Sequence, residues 1–385
     1  MTCSRAPLAL FCACLCTVFS AAAAAADILK PLPAPPALSA KAYVLMEYES
    51  GRLLVAHKET EQLEPASLTK VMTHYVVSDE IDKGLLARDL NVTVSEKAWR
   101  MGGSKIFIEV GKQVSVDDLI RGMVIQSGND ASVQLAEVIA GSEDTFADLM
   151  NQYATHLGMR DTQFRNATGM PDTEHVTTAR DLATLSRALI RDFPDSYALH
   201  SEREFEFNEI RQKNRNELLW RDPSVDGLKT GHTKASGYGL IASAEREGMR
   251  LISVVLGADS AQSRISETAK LLNYGFRFFE TLRLFKAEEP MDELRVWKGA
   301  ERTVPVGVLE ELTVAIPRGH GEQLESNLEL RRGLQAPVAT GDELGVIVVL
   351  SNGEVLLEQP VVALQDVAEG GLIEVVRDSI LQAFE

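Results

Sequence analysis

Cysteine is confined to the first sixteen residues of this 385-residue chain, at Cys3, Cys12, Cys14 and Cys16. From residue 17 onward the sequence therefore excludes disulfides, thiol nucleophiles and thiolate metal sites. The seven histidines form no H-x-x-x-H pair, and the glycine-rich motifs G-x-x-x-x-G-K-[ST] and G-x-G-x-x-G are absent. Without these motifs we expect no metal centre and no cofactor.

Positive charge is also scarce, because 39 lysines and arginines face 56 aspartates and glutamates, for a net charge of −17. No basic run interleaved with aromatic residues interrupts this acidic composition. A chain of this kind should repel nucleic acid, so we expect no nucleic-acid partner. Its 45% apolar content is normal for a globular protein and leaves room for about two or three domains.

The N-terminus has the pattern of a secretory signal peptide over residues 1–26. A single cation, Arg5, precedes the short apolar run "LALFCACLCTVFS", and "AAAAAAD" supplies small residues for cleavage before Asp27. Lipid modification at Cys14 is an alternative, although the residues before it fit a lipoprotein signal poorly. A proline-rich lead-in then covers residues 27–37. We therefore expect an exported, periplasmic protein.

The next part of the chain predicts one α+β domain over residues 38–286. "AYVLMEY" and "RLLVAHK" around a glycine turn predict a β-hairpin, and several segments with helical periodicity follow. Glycine-bearing turns then divide residues 224–258 into three strands, and residues 263–282 predict a closing amphipathic helix. Beyond this domain, short apolar runs with turn signals predict a small all-β domain over residues 287–368.

Residues 369–385 predict a C-terminal amphipathic helix that follows a double glycine. Its apolar stripe consists of Leu372, Val376, Ile380 and Phe384. Acidic residues outnumber the single Arg377 in this segment, whereas helices that lie on membranes usually favour cations. The sequence therefore leaves two interpretations open, namely contact with the inner membrane and docking on the protein's own surface.

Three short strings carry the chemistry of this chain: Ser67-x-x-Lys70, Ser127-Gly128-Asn129 and Lys229-Thr230-Gly231. Each has a plain structural alternative, since serine and asparagine cap helices and Lys-Thr-Gly suits a hairpin edge. A serine hydroxyl is a poor nucleophile unless a nearby base removes its proton, and Lys70 lies one helical turn away. Lysine is such a base only when neutral, so burial and a second cation, Lys229, would have to lower its pKa.

In this order the strings resemble the S-x-x-K, S-D-N and K-T-G signature of β-lactamases and penicillin-binding proteins, with Gly128 replacing the aspartate. The Ser-Gly-Asn form, together with "NRNELLW", "VDGLKTGHT", "GYGLIASA" and "KLLNYGFRFF", resembles secreted D-alanyl-D-alanine carboxypeptidases, which are low-molecular-mass penicillin-binding proteins. The resemblance covers almost the whole chain after the signal peptide. It implies a β-lactamase/transpeptidase-like catalytic fold, followed by the β-rich domain and a terminal helix that anchors the family to the membrane.

The same resemblance implies roles for individual residues. The catalytic residues would be Ser67 as the nucleophile, Lys70 as its base and Ser127 as a proton shuttle. Backbone N–H groups of Ser67 and His232 would form the oxyanion hole, and Arg215 is a looser match to a family site residue. The substrate-binding residues would be Asn129, Lys229, Thr230, Gly231, His232 and Arg264.

The activity implied is removal of the terminal D-alanine from peptidoglycan pentapeptide stems, with β-lactam antibiotics as acylating inhibitors. A class A β-lactamase is one alternative, but the interval between the second and third strings lacks its Glu-x-x-Leu-Asn. A D,D-endopeptidase or transpeptidase with the same active site is a second alternative. A non-catalytic wall-binding protein that keeps the fold is a third.

Overall fold

The computed structural model describes residues 32–382, so the predicted signal peptide and residues 27–31 of the lead-in lie outside the described residues. A 3-10 turn, Ala66–Thr69, leads directly into the first helix. The helices are α1 (Lys70–Asp82), α2 (Glu96–Arg100), α3 (Val116–Ile125), α4 (Asn129–Ala140), α5 (Glu143–His156), α6 (Ala179–Asp192), α7 (Pro194–Tyr197), α8 (Leu218–Arg221), α9 (Ala261–Phe278) and α10 (Leu372–Gln382).

The strands form two main antiparallel sheets, in the orders β2-β1-β9-β8-β7 and β11-β12-β16-β15-β14. The pairs β3-β4, β5-β6 and β10-β13 form separate ribbons. The strands are β1 (Ala42–Glu47), β2 (Leu53–His57), β3 (Asn91–Thr93), β4 (Gln113–Ser115), β5 (Glu204–Phe207), β6 (Ile210–Lys213), β7 (Val225–Thr233), β8 (Gly237–Arg246), β9 (Met249–Ala258), β10 (Phe279–Phe285), β11 (Asp292–Arg295), β12 (Thr303–Gly307), β13 (Leu312–Pro317), β14 (Leu324–Leu330), β15 (Glu343–Ser351) and β16 (Glu354–Ala363).

The first sheet is buried on both faces. In β9, Ile252 and Val254 belong to the apolar cluster that also contains Val71 and Met72 of α1. The alternate residue Leu251 belongs to the cluster on the opposite face, where α9 packs. Successive side chains of a strand point to opposite faces, so a continuous apolar run is what a doubly covered strand requires. The sheet thereby holds α1, and with it Lys70, at a fixed distance from β7.

The sequence predictions for this region are confirmed at the level of elements. Residues 42–57 form the β1-β2 hairpin, and residues 224–258 contain β7, β8 and β9. The expected break near Gly128 separates α3 from α4. Helix α3 buries Leu119, Ile120 and Met123 in a third apolar cluster shared with α4, and this packing fixes the two helices on either side of the break.

The closing helix is shorter than predicted. The sequence predicted a helix over residues 263–282, but α9 ends at Phe278 and residues 279–285 form β10, which pairs with β13. Backbone pairing with β13 provides hydrogen bonds that a longer helix would have provided internally, and periodicity cannot reveal that partner. β10 thus lies within the range predicted for the first domain, although it pairs with a strand of the second.

Candidate active site

The three predicted strings meet at one cavity of about 810 Å³. Six of the predicted residues line it, namely Ser67, Ser127, Thr230, Gly231, His232 and Arg264. The side chains of Lys70, Asn129 and Lys229 are buried behind its wall. The cavity lies along β7, which is an edge strand of the first sheet, so one side of its backbone remains open to a bound peptide.

Ser67 lies in the 3-10 turn that precedes α1, and it does not act as a helix cap. The N-cap of the turn is Pro65, the N-cap of α1 is Thr69, and neither side chain accepts a capping hydrogen bond. Ser67 Oγ instead accepts a hydrogen bond of 3.0 Å from Lys70 Nζ. The capping alternative raised by the sequence is therefore not what this serine does.

Lys70 is 1% exposed and makes two further hydrogen bonds. Its Nζ lies 2.7 Å from Asn129 Oδ1 and 2.6 Å from the main-chain oxygen of Thr168. Among residues 32–382 it forms no ion pair with a carboxylate, so its charged form is poorly stabilised. Burial lowers the pKa of Lys70 to about 7, and the charge of Arg215 adds to this effect.

Ser127 and Asn129 lie where α3 gives way to α4. Ser127 has a φ of 66°, in the left-handed region that an L-residue adopts rarely, and its side chain is 2% exposed. Asn129 donates from Nδ2 to the oxygen of Gly102 at 2.8 Å, which leaves its Oδ1 for Lys70. Because Gly128 is the N-cap of α4 and makes no side-chain cap, the capping alternative fails here as well.

Lys229 is the second buried amine of the site. It is 2% exposed, and its Nζ donates to the oxygen of Thr230 at 3.1 Å. Burial lowers the pKa of Lys229 well below its usual value, and the charges of Lys70, Arg215 and Arg264 add to the shift. The repulsion between the Lys70 and Lys229 ammonium groups is mutual, so each disfavours the charged form of the other, as expected from the sequence, and Arg215 is a further cation that lowers the pKa of both.

Gly231 lies close to the turn that carries Ser67. A Cβ on this glycine would lie 3.0 Å from the oxygen of Pro65 and 3.0 Å from Leu68 Cγ. A side chain here would push β7 away from the turn, so the packing of the fold itself favours glycine at this position.

His232 and Arg264 lie at the outer part of the cavity. The His232 ring stacks on Tyr238 with the ring centroids 3.9 Å apart, and its Nδ1 lies 3.0 Å from the oxygen of Gly237. Arg264 donates from Nη1 to the oxygen of Gly231 at 3.2 Å, and its buried Nε has no hydrogen-bond partner within the described residues. An arginine with unused donors beside a cavity suits an incoming carboxylate.

Several contributions to the site were missed by sequence reasoning. Ser104, Asn214 and Trp220 line the cavity, and Arg215, noted only as a loose match, lines it too. The oxygen of Thr168 is a main-chain group, so the type of residue at this position does not predict that it accepts a hydrogen bond from Lys70. Asn166, two residues before it, begins "NATG", and an asparagine that precedes a glycine in this way is a turn signal.

Two family models match this chain. One describes D-alanyl-D-alanine carboxypeptidases and matches residues 30–260, and the other describes the C-terminal domain of penicillin-binding protein 5 and matches residues 279–369.

Within residues 32–382, no group of three or more His, Cys, Asp or Glu side chains is arranged so that it could bind a metal ion.

Curated relatives and solved structures match over most of the chain. D-alanyl-D-alanine carboxypeptidase DacC of Escherichia coli K12 is 43% identical over 357 residues, which is 91% of this chain and 89% of that protein. DacA of the same organism is 40% identical over 380 residues, covering 96% and 94% of the two chains. The crystal structure of penicillin-binding protein 5 from Haemophilus influenzae superposes with a TM-score of 0.83 at 40% identity, covering 88% of this chain and all of that one.

Proposed function

The chain belongs to the D-alanyl-D-alanine carboxypeptidase family and is a serine-type carboxypeptidase, and we propose that it removes the terminal D-alanine from peptidoglycan stem pentapeptides through an acyl-enzyme on Ser67. The observation that carries this proposal is the hydrogen bond of 3.0 Å between Ser67 Oγ and a buried amine whose pKa is about 7. At neutral pH a large fraction of Lys70 is then uncharged and able to accept the serine proton.

Substrate binding uses the open edge of β7. The stem peptide lies along this strand, and its terminal carboxylate meets Thr230, Lys229 and Arg264. Arg264 suits this position because its side chain is paired with main-chain oxygens rather than with a carboxylate. In this proposal the oxyanion lies between the backbone N–H groups of Ser67 and His232, as the family resemblance implies.

Acylation moves one proton and exchanges one bond. As Ser67 Oγ bonds to the carbonyl carbon between the last two D-alanines, its proton passes to Lys70 Nζ. Ser127 then relays a proton to the departing nitrogen, the C–N bond breaks and D-alanine leaves. Water hydrolyses the ester in the second half of the reaction. A β-lactam acylates the same oxygen, but its leaving group stays tethered, so the adduct persists.

The adduct is the direct test of this proposal. Intact-mass measurement after incubation with benzylpenicillin is expected to show one added penicillin per protein, mapped to the peptide that contains Ser67. The Ser67→Ala variant should show none. On a pentapeptide stem the wild type should release free D-alanine, which separates a carboxypeptidase from an endopeptidase. An unmodified wild-type mass, or fast turnover of the penicillin, would reject the proposal.

Each predicted segment has a place in this function. We propose that residues 1–26 direct export to the periplasm, that residues 27–37 are an extended lead-in, and that residues 38–286 form the catalytic domain. Residues 287–368 then form the β-rich domain, with β10 as a strand shared between the two. This β-rich domain acts as a spacer that carries the terminal helix.

The terminal helix has a polar side that docks on the protein and an apolar side that does not. Asp378 is 4% exposed and accepts a hydrogen bond of 2.7 Å from the backbone N–H of Lys298. By contrast, Leu372 and Ile373 are 86% and 80% exposed, and Val376 and Ile380 are exposed as well. Within residues 32–382 no helix is long and apolar enough to span a bilayer. We propose that α10 lies on the inner membrane with this apolar side in the lipid.

Membrane contact by α10 is expected to be measurable by vesicle flotation. The protein with residues 27–385 should float with lipid vesicles, whereas the Ile373→Glu/Ile380→Glu double variant should stay in the dense fraction. Both proteins should form the penicillin adduct equally, because the substitutions are exposed and remote from the cavity. The double variant Glu325→Gln/Glu329→Gln on the exposed side of β14 is a surface control that should still float. Flotation of the α10 variant would contradict the proposal.

A further inference from the structure

In its neutral form the Lys70 amine has two N–H bonds and one lone pair, and three neighbouring groups determine the directions in which they point. Asn129 Oδ1 and the oxygen of Thr168 only accept hydrogen bonds, so each takes one N–H of the amine. The third neighbour is Ser67 Oγ, at 3.0 Å, toward which the lone pair is left to point. The two acceptors therefore orient the base as well as holding it in place.

One of these acceptors is a main-chain oxygen in an irregular segment, and its position depends on Asn166. The side-chain oxygen of Asn166 accepts hydrogen bonds from Thr168 N at 3.1 Å, Thr168 Oγ1 at 2.9 Å, Gly169 N at 2.7 Å and Met170 N at 3.1 Å. Its Nδ2 donates to the oxygen of Met170 at 3.0 Å. A single side chain thus closes the turn around Thr168.

The turn is also pressed against the residues that carry the nucleophile. A Cβ on Gly169, whose φ is 82°, would lie 1.7 Å from the oxygen of Ala66, the residue before Ser67. On the other side, Thr73 Oγ1 donates to the oxygen of Ala167 at 2.7 Å. A loosened turn would therefore move the Thr168 oxygen relative to both Lys70 and Ser67.

We propose that Asn166 is a positioning residue for proton transfer, which holds the oxygen of Thr168 where it turns the lone pair of neutral Lys70 toward Ser67 Oγ. Asn166 touches no reacting atom and acts only through the main chain of the turn. The inference rests on the proposed function, in which Lys70 takes the proton of Ser67 during acylation.

Stopped-flow acylation by benzylpenicillin separates this role from substrate binding. In Asn166→Ala the acylation rate constant is expected to fall by about 10–100-fold, since misplacing a reacting group by about 1 Å costs about that much. The dissociation constant of the initial non-covalent complex should stay within about twofold, because no binding group is removed. Asn166→Asp keeps the accepting oxygen but loses the Nδ2 donor to the oxygen of Met170, so it should recover part of the rate. If the alanine variant does not fold, Asn166→Ser is measured against Asn166→Asp instead.

Asn151 provides a matched control in the same part of the fold. Its Oδ1 accepts a hydrogen bond from Phe164 N at 2.8 Å, and its Nδ2 donates to the oxygen of Phe164 at 2.9 Å. Asn151 therefore fixes the same segment between α5 and α6 but does not close the turn around Thr168. Asn151→Ala should lower the melting temperature as Asn166→Ala does, yet acylate at the wild-type rate.

Three outcomes would overturn the inference. Asn166→Ala could acylate like the wild type, Asn151→Ala could slow acylation equally, or Asn166→Asp could restore none of the lost rate. Absence of any adduct on wild-type Ser67 would instead reject the proposed function, and the inference with it. The wild-type measurement therefore distinguishes the two failures.

Discussion

Replacing Lys70 by methionine is expected to slow acylation of Ser67 by on the order of 10³–10⁴-fold, which is the upper part of the range for losing a general base. Methionine has a similar unbranched shape and fills the buried space, but it accepts no proton. Asn129 Oδ1 and the oxygen of Thr168 lose their donor in this variant. Stopped-flow acylation by benzylpenicillin measures the loss directly.

The wild-type rate should also depend on pH in a defined direction. In the proposed mechanism neutral Lys70 is the reactive form, so the acylation rate constant is expected to rise with pH and reach half its maximum near pH 7. Burial and Arg215 favour the neutral amine, whereas Asp130 and Glu143 favour the charged one. The residual rate of Lys70→Met should lack this rise. A wild-type profile that is flat between pH 5.5 and 8.5 would contradict the assigned role.

The pH dependence of the free energy of unfolding provides an independent test of the lowered pKa of Lys70. An unfolded lysine has a pKa near 10.4, whereas folded Lys70 has a pKa of about 7, so between these values only the unfolded state holds the proton. The free energy of unfolding should therefore rise with pH by about 1.4 kcal/mol per unit across that window. Lys70→Met should lose this contribution, although buried Lys229 adds a similar one in both proteins. Lys83→Met, at the exposed end of α1, is the control and should change neither rate nor slope.

Part of this site could be predicted from residue spacing. Ser67 and Lys70 touch because they are one turn apart, and that is a local property of the backbone. The resemblance of the three strings to the S-x-x-K, S-D-N and K-T-G signature predicted that Asn129 and Lys229 would join them, and the structure brings both within the same buried region. Spacing was sufficient for the first pair, whereas the other two residues required the resemblance.

The remaining parts depend on contacts that a sequence does not display. The oxygen of Thr168 acts as a main-chain acceptor, and only the folded turn of Asn166 places it. Arg215 adds to the lowering of the pKa of Lys70, and its approach to this amine depends on the folded chain rather than on spacing in the sequence. Similarly, β10 continues α9 in sequence, but its pairing with β13 overrides the helical pattern. In each case the outcome depends on a contact between residues that are far apart in the sequence, and local sequence patterns do not reveal such contacts.

Acidification should unfold this protein through three buried histidines. His74 Nδ1 lies 3.0 Å from His200 Nε2, His200 Nδ1 lies 3.1 Å from the oxygen of Leu228, and His175 Nε2 lies 2.8 Å from Thr69 Oγ1. The Leu228 oxygen only accepts, so His200 carries its proton on Nδ1 and accepts from His74. Burial lowers the pKa of His175 and of His200 to about 4, and lowers that of His74 well below its usual value.

The sign of the effect follows from where the protons bind. Unfolded histidines have pKa values near 6.5, so the unfolded state binds protons below that pH. The folded state binds them at these histidines only near pH 4. The contribution of these histidines to stability is complete above about pH 6.5 and falls by up to about 4 kcal/mol per pH unit as the pH drops through this window. Since net stabilities are about 5–15 kcal/mol, the melting temperature at pH 5 should be lower than at pH 7.5 by on the order of 10 °C.

A pair of histidine variants isolates this cause. His175→Gln removes one of the three buried imidazoles, so its loss of stability between pH 6.5 and pH 4.5 should be about one third shallower than that of the wild type. His156→Gln, on the exposed end of α5, is the control and should keep the slope of the wild type. Burial favours the neutral Asp192 carboxyl, but the hydrogen bonds from Arg191 and Tyr75 outweigh it and lower the pKa, so the stabilising contribution of Asp192 is complete above about pH 4 and does not affect the comparison. Equal slopes for the two variants would show that the acid sensitivity arises elsewhere, whereas a shallower slope in His175→Gln alone would assign it to the buried imidazoles.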